Sequence, residues 1–203
     1  MGYDSEMIRK STLAWGFAAL LLSCSPLAAA ATVQSINYSY YPVTGRTPAE
    51  VYRSILSRGP TVNGDKAIAA TTAQGVQNYS LAQQPTSCRV NDQRLDFRFD
   101  IQLPRPIYVS ALTPRDRALW QNFSVFLRAH ELQHTKLWLG CAADLERKVL
   151  AINARNCDDA KSQAEALWRK MRASCDKLQA NFDREQRGEL LAQPFMQRVL
   201  RGN

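Results

Sequence analysis

Between Arg94 and Leu103 apolar and polar positions alternate without a break. Leu95, Phe97, Phe99 and Ile101 fall on one side, and Arg94, Asp96, Arg98 and Asp100 on the other. A period of two is that of a strand with one buried face, and its charged side reads as a solvated sheet surface. A weaker alternation, Ile36, Tyr38 and Tyr40 against Asn37 and Ser39, predicts a first strand over Val33 to Val43. Ala67 to Thr72 and Val76 to Ala82 are further strand candidates, with Gly75 at the turn between them. Asn91-Asp92-Gln93 is expected to turn the strong strand back onto one around Cys88. Pro104 and Pro106 end the sheet region.

The helical signals are of two kinds. Thr47 as N-cap, Pro48 in the first turn, Glu50 completing a capping box and Gly59-Pro60 as the stop define one short helix. Val51, Ile55 and Leu56 are its expected buried face. Thr113-Pro114-Arg115-Asp116 opens a much longer helix reaching to about Ile152. A break over Asn153 to Asp158 precedes a second long helix, roughly Ala160 to Glu185. The remainder, 190–203, with Pro194 and Gly202, reads as a loosely attached tail. The expected fold class is α+β: a small antiparallel sheet with one short helix, followed by a long antiparallel helical hairpin.

Met1 to Ala30 has the layout of an export signal. Arg9 and Lys10 form a positive start, Leu13 to Leu22 an apolar stretch, and Ala28-Ala29-Ala30 a small-residue cleavage site. Leu21-Leu22-Ser23-Cys24 loosely matches a lipid-attachment box, the rival to simple cleavage. No later stretch is apolar enough to span a bilayer, so the mature chain, 31–203, is expected to be one domain without a transmembrane helix. Removal of the signal takes away two charges of each sign, leaving the formal +8 unchanged. That balance suits anionic envelope surroundings. The basic residues are dispersed and export removes the usual targets, so no nucleic-acid partner is expected. In a periplasmic or secreted protein the even set Cys88, Cys141, Cys157 and Cys175 is expected to form disulfides.

Candidate chemistry is concentrated in His130-Glu131-Leu132-Gln133-His134, which contains both histidines of the chain. Positions i and i+4 of a helix share one face, so both imidazoles can close on one ion, and a carboxylate after the first can serve as proton acceptor. This is the His-Glu-x-x-His pattern of zinc metallopeptidases. Trp120, Phe123, Leu127, Leu137, Cys141 and Leu145 continue the stripe that holds the histidines, so the imidazoles are expected to point inward. No third histidine exists; the place where one would follow closely is Gly140. A carboxylate or water must complete the set.

A hairpin turning near Asn156 brings residues equally distant from the turn face to face. Cys141 then lies nearly level with Cys175. Cys157 lies about 16 and 18 residues from these two along a helix rising ~1.5 Å per residue, beyond the ~7 Å reach of a disulfide. Elimination pairs it with Cys88. In the same register Leu132 faces Ala180 to Arg184, which offers Asp183 as the third ligand, with Glu185 just beyond.

Tyr40-Tyr41-Pro42-Val43-Thr44-Gly45, Ser57-Arg58-Gly59-Pro60, the Arg94–Pro104 strand and the histidine motif together resemble a bacterial family of predicted secreted zinc-dependent proteases. That family is catalogued mainly as a domain of unknown function. Its members carry a Tyr-Asp pair near the C-terminus, then a threonine, then His-Gly. Here the corresponding stretch is Phe182-Asp183-Arg184-Glu185-Gln186-Arg187-Gly188; the aspartate is kept, and the threonine and histidine are absent.

The expected function is an exported zinc metallopeptidase acting on peptides or proteins of the cell envelope. His130, His134 and Asp183 would bind Zn2+, and Glu131 would be the general base. The rival is an envelope binding or structural module with a structural or degenerate zinc site. A weaker third is a basic module binding anionic polymers without metal.

Overall fold

The computed structural model describes residues 32–62 and 64–202; the expected export signal, Met1 to Ala30, and Cys24 lie outside them. Strand β1 (Thr32–Val43) leads into helix α1 (Pro48–Arg58), and a small ribbon of β2 (Thr61–Val62) and β3 (Asp65–Lys66) follows. Two long strands come next, β4 (Ala70–Gln83) and β5 (Cys88–Pro106). The rest is helical: α2 (Pro114–Leu150), α3 (Cys157–Ala192) and α4 (Pro194–Leu200), with a short β6 (Asn153–Ala154) between the long pair. The expected α+β build is observed.

β5 is the middle strand, antiparallel to β4 and parallel to β1. The sheet is therefore mixed where an antiparallel one was expected. Parallel pairing needs a long crossover, and the chain from α1 through β4 supplies it. Leu95, Phe97, Phe99, Ile101 and Leu103 are buried under the helices. On the other face Arg94 pairs with Asp96 and Arg98 with Asp100, the solvated surface the alternation predicted.

Two turns assigned from the sequence do not exist. Asn91 is a bulge: Ser80 pairs with Asp92 and Leu81 with Val90. One extra residue exchanges the faces of a strand. Inward positions are Cys88 and Val90 before the bulge, then Gln93, Leu95 and Phe97 after it. Gly75 lies inside an unbroken β4, not at a turn. A Cβ there would come within 2.8 Å of the Phe97 ring and 2.9 Å of Trp168. Close aromatic packing, not a turn, is what this glycine permits.

α1 is capped as expected, with Thr47 Oγ1 accepting from the Glu50 amide and the Glu50 carboxylate accepting from the Arg46 amide. Val51 and Ile55 are buried, whereas Leu56, expected beside them, is 39% exposed. α3 starts three residues earlier than the sequence suggested, because Asn156 caps it through the Asp159 amide, and it runs on to Ala192. The tail is not loose. α4 inserts Phe195 and Met196, both fully buried, into the core, with Phe195 against Trp120 and Phe123. Pro194 begins this helix; it does not end the fold.

Both disulfides form as expected, Cys88–Cys157 and Cys141–Cys175. β6 explains the first: Ala154 pairs with Cys88 and brings the start of α3 to the sheet. Two disulfides are compatible with an extracellular or periplasmic location. Among the described residues no helix is long and apolar enough to cross a membrane.

Candidate metal centre

The buried stripe of α2 runs through Trp120, Phe123, Leu127, Glu131, His134, Thr135, Trp138, Ala142, Leu145 and Val149. Its upper members belong to a core around α1, β1 and α4, and its lower ones to a core around the two disulfides. Glu131, His134 and Thr135 are the polar seam between them. The stripe thus passes through Glu131, not His130, and through Trp138 and Ala142, while Leu137 and Cys141 are half-buried. His130 sits at the edge of the buried face, with 18% of its side chain exposed.

α3 crosses α2 at this seam. Asp183 Oδ1 lies 3.1 Å from His130 Nε2 and 3.0 Å from His134 Nε2, and the two Nε2 atoms are 3.2 Å apart. Among the described residues these three groups form a candidate metal-binding cluster. The donors make a nearly equilateral triangle. Ligand atoms about 2.0–2.2 Å from one tetrahedral ion stand roughly 3.3–3.6 Å from each other. The observed edges fall a few tenths of an ångström short of that, so a small outward relaxation would admit an ion. Two imidazole nitrogens and one carboxylate oxygen are a donor set that zinc accepts. Glu185, the alternative third ligand, is exposed and outside the cluster, and Gly140 faces open space.

Charge binds the triangle together even without an ion. Burial works against ionisation of Asp183, but hydrogen bonds and charge from His130 and His134 outweigh it and hold the carboxyl well below the usual carboxylate range. Burial likewise opposes the charged form of His134. Hydrogen bonds that the ring donates to Asp183 and Gln179, with the charges of Asp183 and Glu131, turn the balance and raise its pKa.

Glu131 is not one of the three donors. It is buried, and its Oε2 accepts a 2.7 Å hydrogen bond from the hydroxyl of Thr71 on β4. Burial pushes its pKa up; the Thr71 hydrogen bond and the two histidines pull it down, and Asp183 adds to the rise. The net direction is upward.

Three neighbours of the site were not singled out from the sequence. Thr71 holds Glu131 from the sheet. Gln179 Oε1 lies 2.6 Å from His134 Nδ1. Phe182 stacks on His130 at 4.8 Å and meets His134 edge-on at 5.1 Å. Gln179 stands one helical turn before Asp183, so the choice of Asp183 carried a signal for it. Thr71 carried none, because strand-to-helix proximity has no local pattern.

A family model described as a bacterial protein of unknown function (DUF922) matches residues 38–189. The chain belongs to that family. The DUF922 match takes in the three donors, Glu131, Thr71 and Gln179, and stops short of α4. Its description states no activity, metal or substrate. No curated protein and no solved structure matches the chain.

Proposed function

We propose that this protein is an exported zinc-dependent peptidase, with His130, His134 and Asp183 holding the ion and Glu131 as general base. The observation that carries the reading is the donor triangle, built from two long helices that a disulfide ties together. Three protein ligands with a further position open is the pattern of catalytic zinc; structural sites usually have four. A zinc ion there would supply Lewis acidity, making a water more acidic and a carbonyl more electrophilic.

The chain's own residues do the rest. Thr71 engages Oε2 of Glu131, so Oε1 is the oxygen left to take a proton. Glu131 accepts a proton from the attacking water as its oxygen bonds to the scissile carbonyl carbon. It then gives that proton to the amine as the C–N bond breaks. A carboxylate raised toward neutral pH suits this work, since general bases act best near the working pH. Gln179 and Phe182 brace the imidazoles from α3. The substrate class is a peptide or protein of the envelope.

The rival is an envelope binding module that keeps the metal site without turnover. What favours it is the stretch Phe182–Gly188, which lacks the threonine and histidine that the family resemblance implies there. Metal analysis of the purified chain beside Glu131→Gln, with both assayed on a broad peptide library, separates the two. The peptidase reading expects zinc in both and cleavage only by the wild type. Zinc in both and cleavage by neither favours the binding module; no zinc in either overturns both.

A further inference from the structure

The geometry points to Gln179 as the positioning residue of the site, holding a hydrogen on Nδ1 of His134 so that Nε2, the nitrogen turned to His130 and Asp183, is the one left to bind an ion. It rests on the metal reading only for what Nε2 is for.

One acceptor beside Gln179 has a fixed role. Gln179 touches His134 at two points: its amide nitrogen lies 3.3 Å from the His134 backbone carbonyl oxygen, and its Oε1 lies 2.6 Å from Nδ1. A backbone carbonyl only accepts, so the Gln179 atom facing it must be the NH2 group. The other end of the amide is then Oε1, which also only accepts. Nδ1 must therefore carry the hydrogen and donate it. The second nitrogen is Nε2, turned to Asp183 and His130; without an ion it can carry a second hydrogen toward the Asp183 carboxylate, and it is the nitrogen bared when that hydrogen leaves. The clasp thus determines the amide orientation and keeps Nδ1, not Nε2, away from an ion.

Placement supports the assignment. Cys175, Gln179 and Asp183 follow at intervals of four on α3, so disulfide, clasp and candidate ligand share one helix face. Gln179 Nε2 also lies 3.7 Å from Cys175 Sγ, next to the Cys141–Cys175 bond that ties α3 to α2. A residue that holds a ligating histidine by its other ring nitrogen typically contributes 10–100-fold to metal affinity.

Two substitutions test this. Gln179→Met keeps the length and removes both hydrogen-bonding groups; Gln179→Glu keeps the acceptor. The primary measurement is 1H–15N correlation of the imidazole nitrogens in metal-free Asp183→Ala protein, where no carboxylate faces Nε2, at alkaline pH. Only two histidines need assignment, and His130→Ala supplies it. In that background Gln179 and Gln179→Glu are expected to show His134 protonated on Nδ1, and Gln179→Met to lose that preference. Zinc affinity, from competition with a chelator, is expected to fall ~10–100-fold in Gln179→Met and to recover in Gln179→Glu. A residue that merely packs would shift the melting temperature and leave the tautomer alone. In the Asp183→Ala background, His134 protonated on Nε2 with Gln179 in place, or an unchanged tautomer in Gln179→Met together with undiminished zinc affinity of the single Gln179→Met variant, overturns the assignment. A wild type that binds no zinc overturns the metal reading instead, and the tautomer measurement still decides this one.

Discussion

The hydroxyl of Thr71 reaches the carboxylate of Glu131 at 2.7 Å, across 60 residues of chain, and ties an edge of the sheet to the middle of α2. A buried carboxylate that loses such a donor keeps its desolvation cost and loses the compensation. Thr71→Val is therefore expected to destabilise the fold by about 1–3 kcal/mol, and Thr71→Ser to stay near wild type. Urea unfolding curves check both. A Thr71→Val protein as stable as wild type would mean that Glu131 is satisfied by another group.

The donor triangle makes a stoichiometric prediction. The protein should hold about one zinc per chain, with His130→Ala and His134→Ala both losing it and Asp183→Asn binding more weakly. Elemental analysis after dialysis against a weak chelator reads all three. Full zinc content in the two histidine variants would remove the site.

Glu131→Gln has a pH-dependent consequence for the metal-free protein. The Glu131 pKa is raised in the fold, so its ionised form is less stable there than in the unfolded chain. That cost is absent below the ordinary carboxylate pKa of about 4.3 and fully present above the raised value. The variant is expected to melt higher than wild type at neutral pH, with the gap closing toward pH ~4. Melting curves across that range, with chelator present, decide it; a gap that widens on acidification would give the shift the wrong sign. In the zinc-loaded protein the same substitution should leave the metal bound and lower peptide cleavage by ~10²–10⁴-fold.

The last helix is expected to matter more than its position suggests. Phe195 is fully buried and contacts Trp120 and Phe123. Phe195→Ala should cost about 3–5 kcal/mol, the usual range for a buried phenylalanine. Retention of wild-type stability would show α4 to be dispensable.

What the sequence by itself determined was local or governed by one simple geometry. Caps at Thr47 and Thr113, the alternation from Arg94 to Leu103 and the i, i+4 histidines need only nearby residues. The pairing of the cysteines and the choice of Asp183 followed from helix rise alone, because two long helices joined by a short turn have few registers. The tertiary structure decided what depends on neighbours distant in the chain. Gly75 looked like a turn because its clearance against Phe97 and Trp168 cannot be read from its own surroundings. Asn91 looked like a turn because a bulge and a turn use the same polar residues. Phe195 and Met196 give no signal along the chain because a seven-residue helix shows too little periodicity to reveal what it covers. Thr71 and Gln179 join the histidine motif only when a strand and a second helix arrive beside it, and hydrogen bonds between distant side chains leave no pattern along the chain.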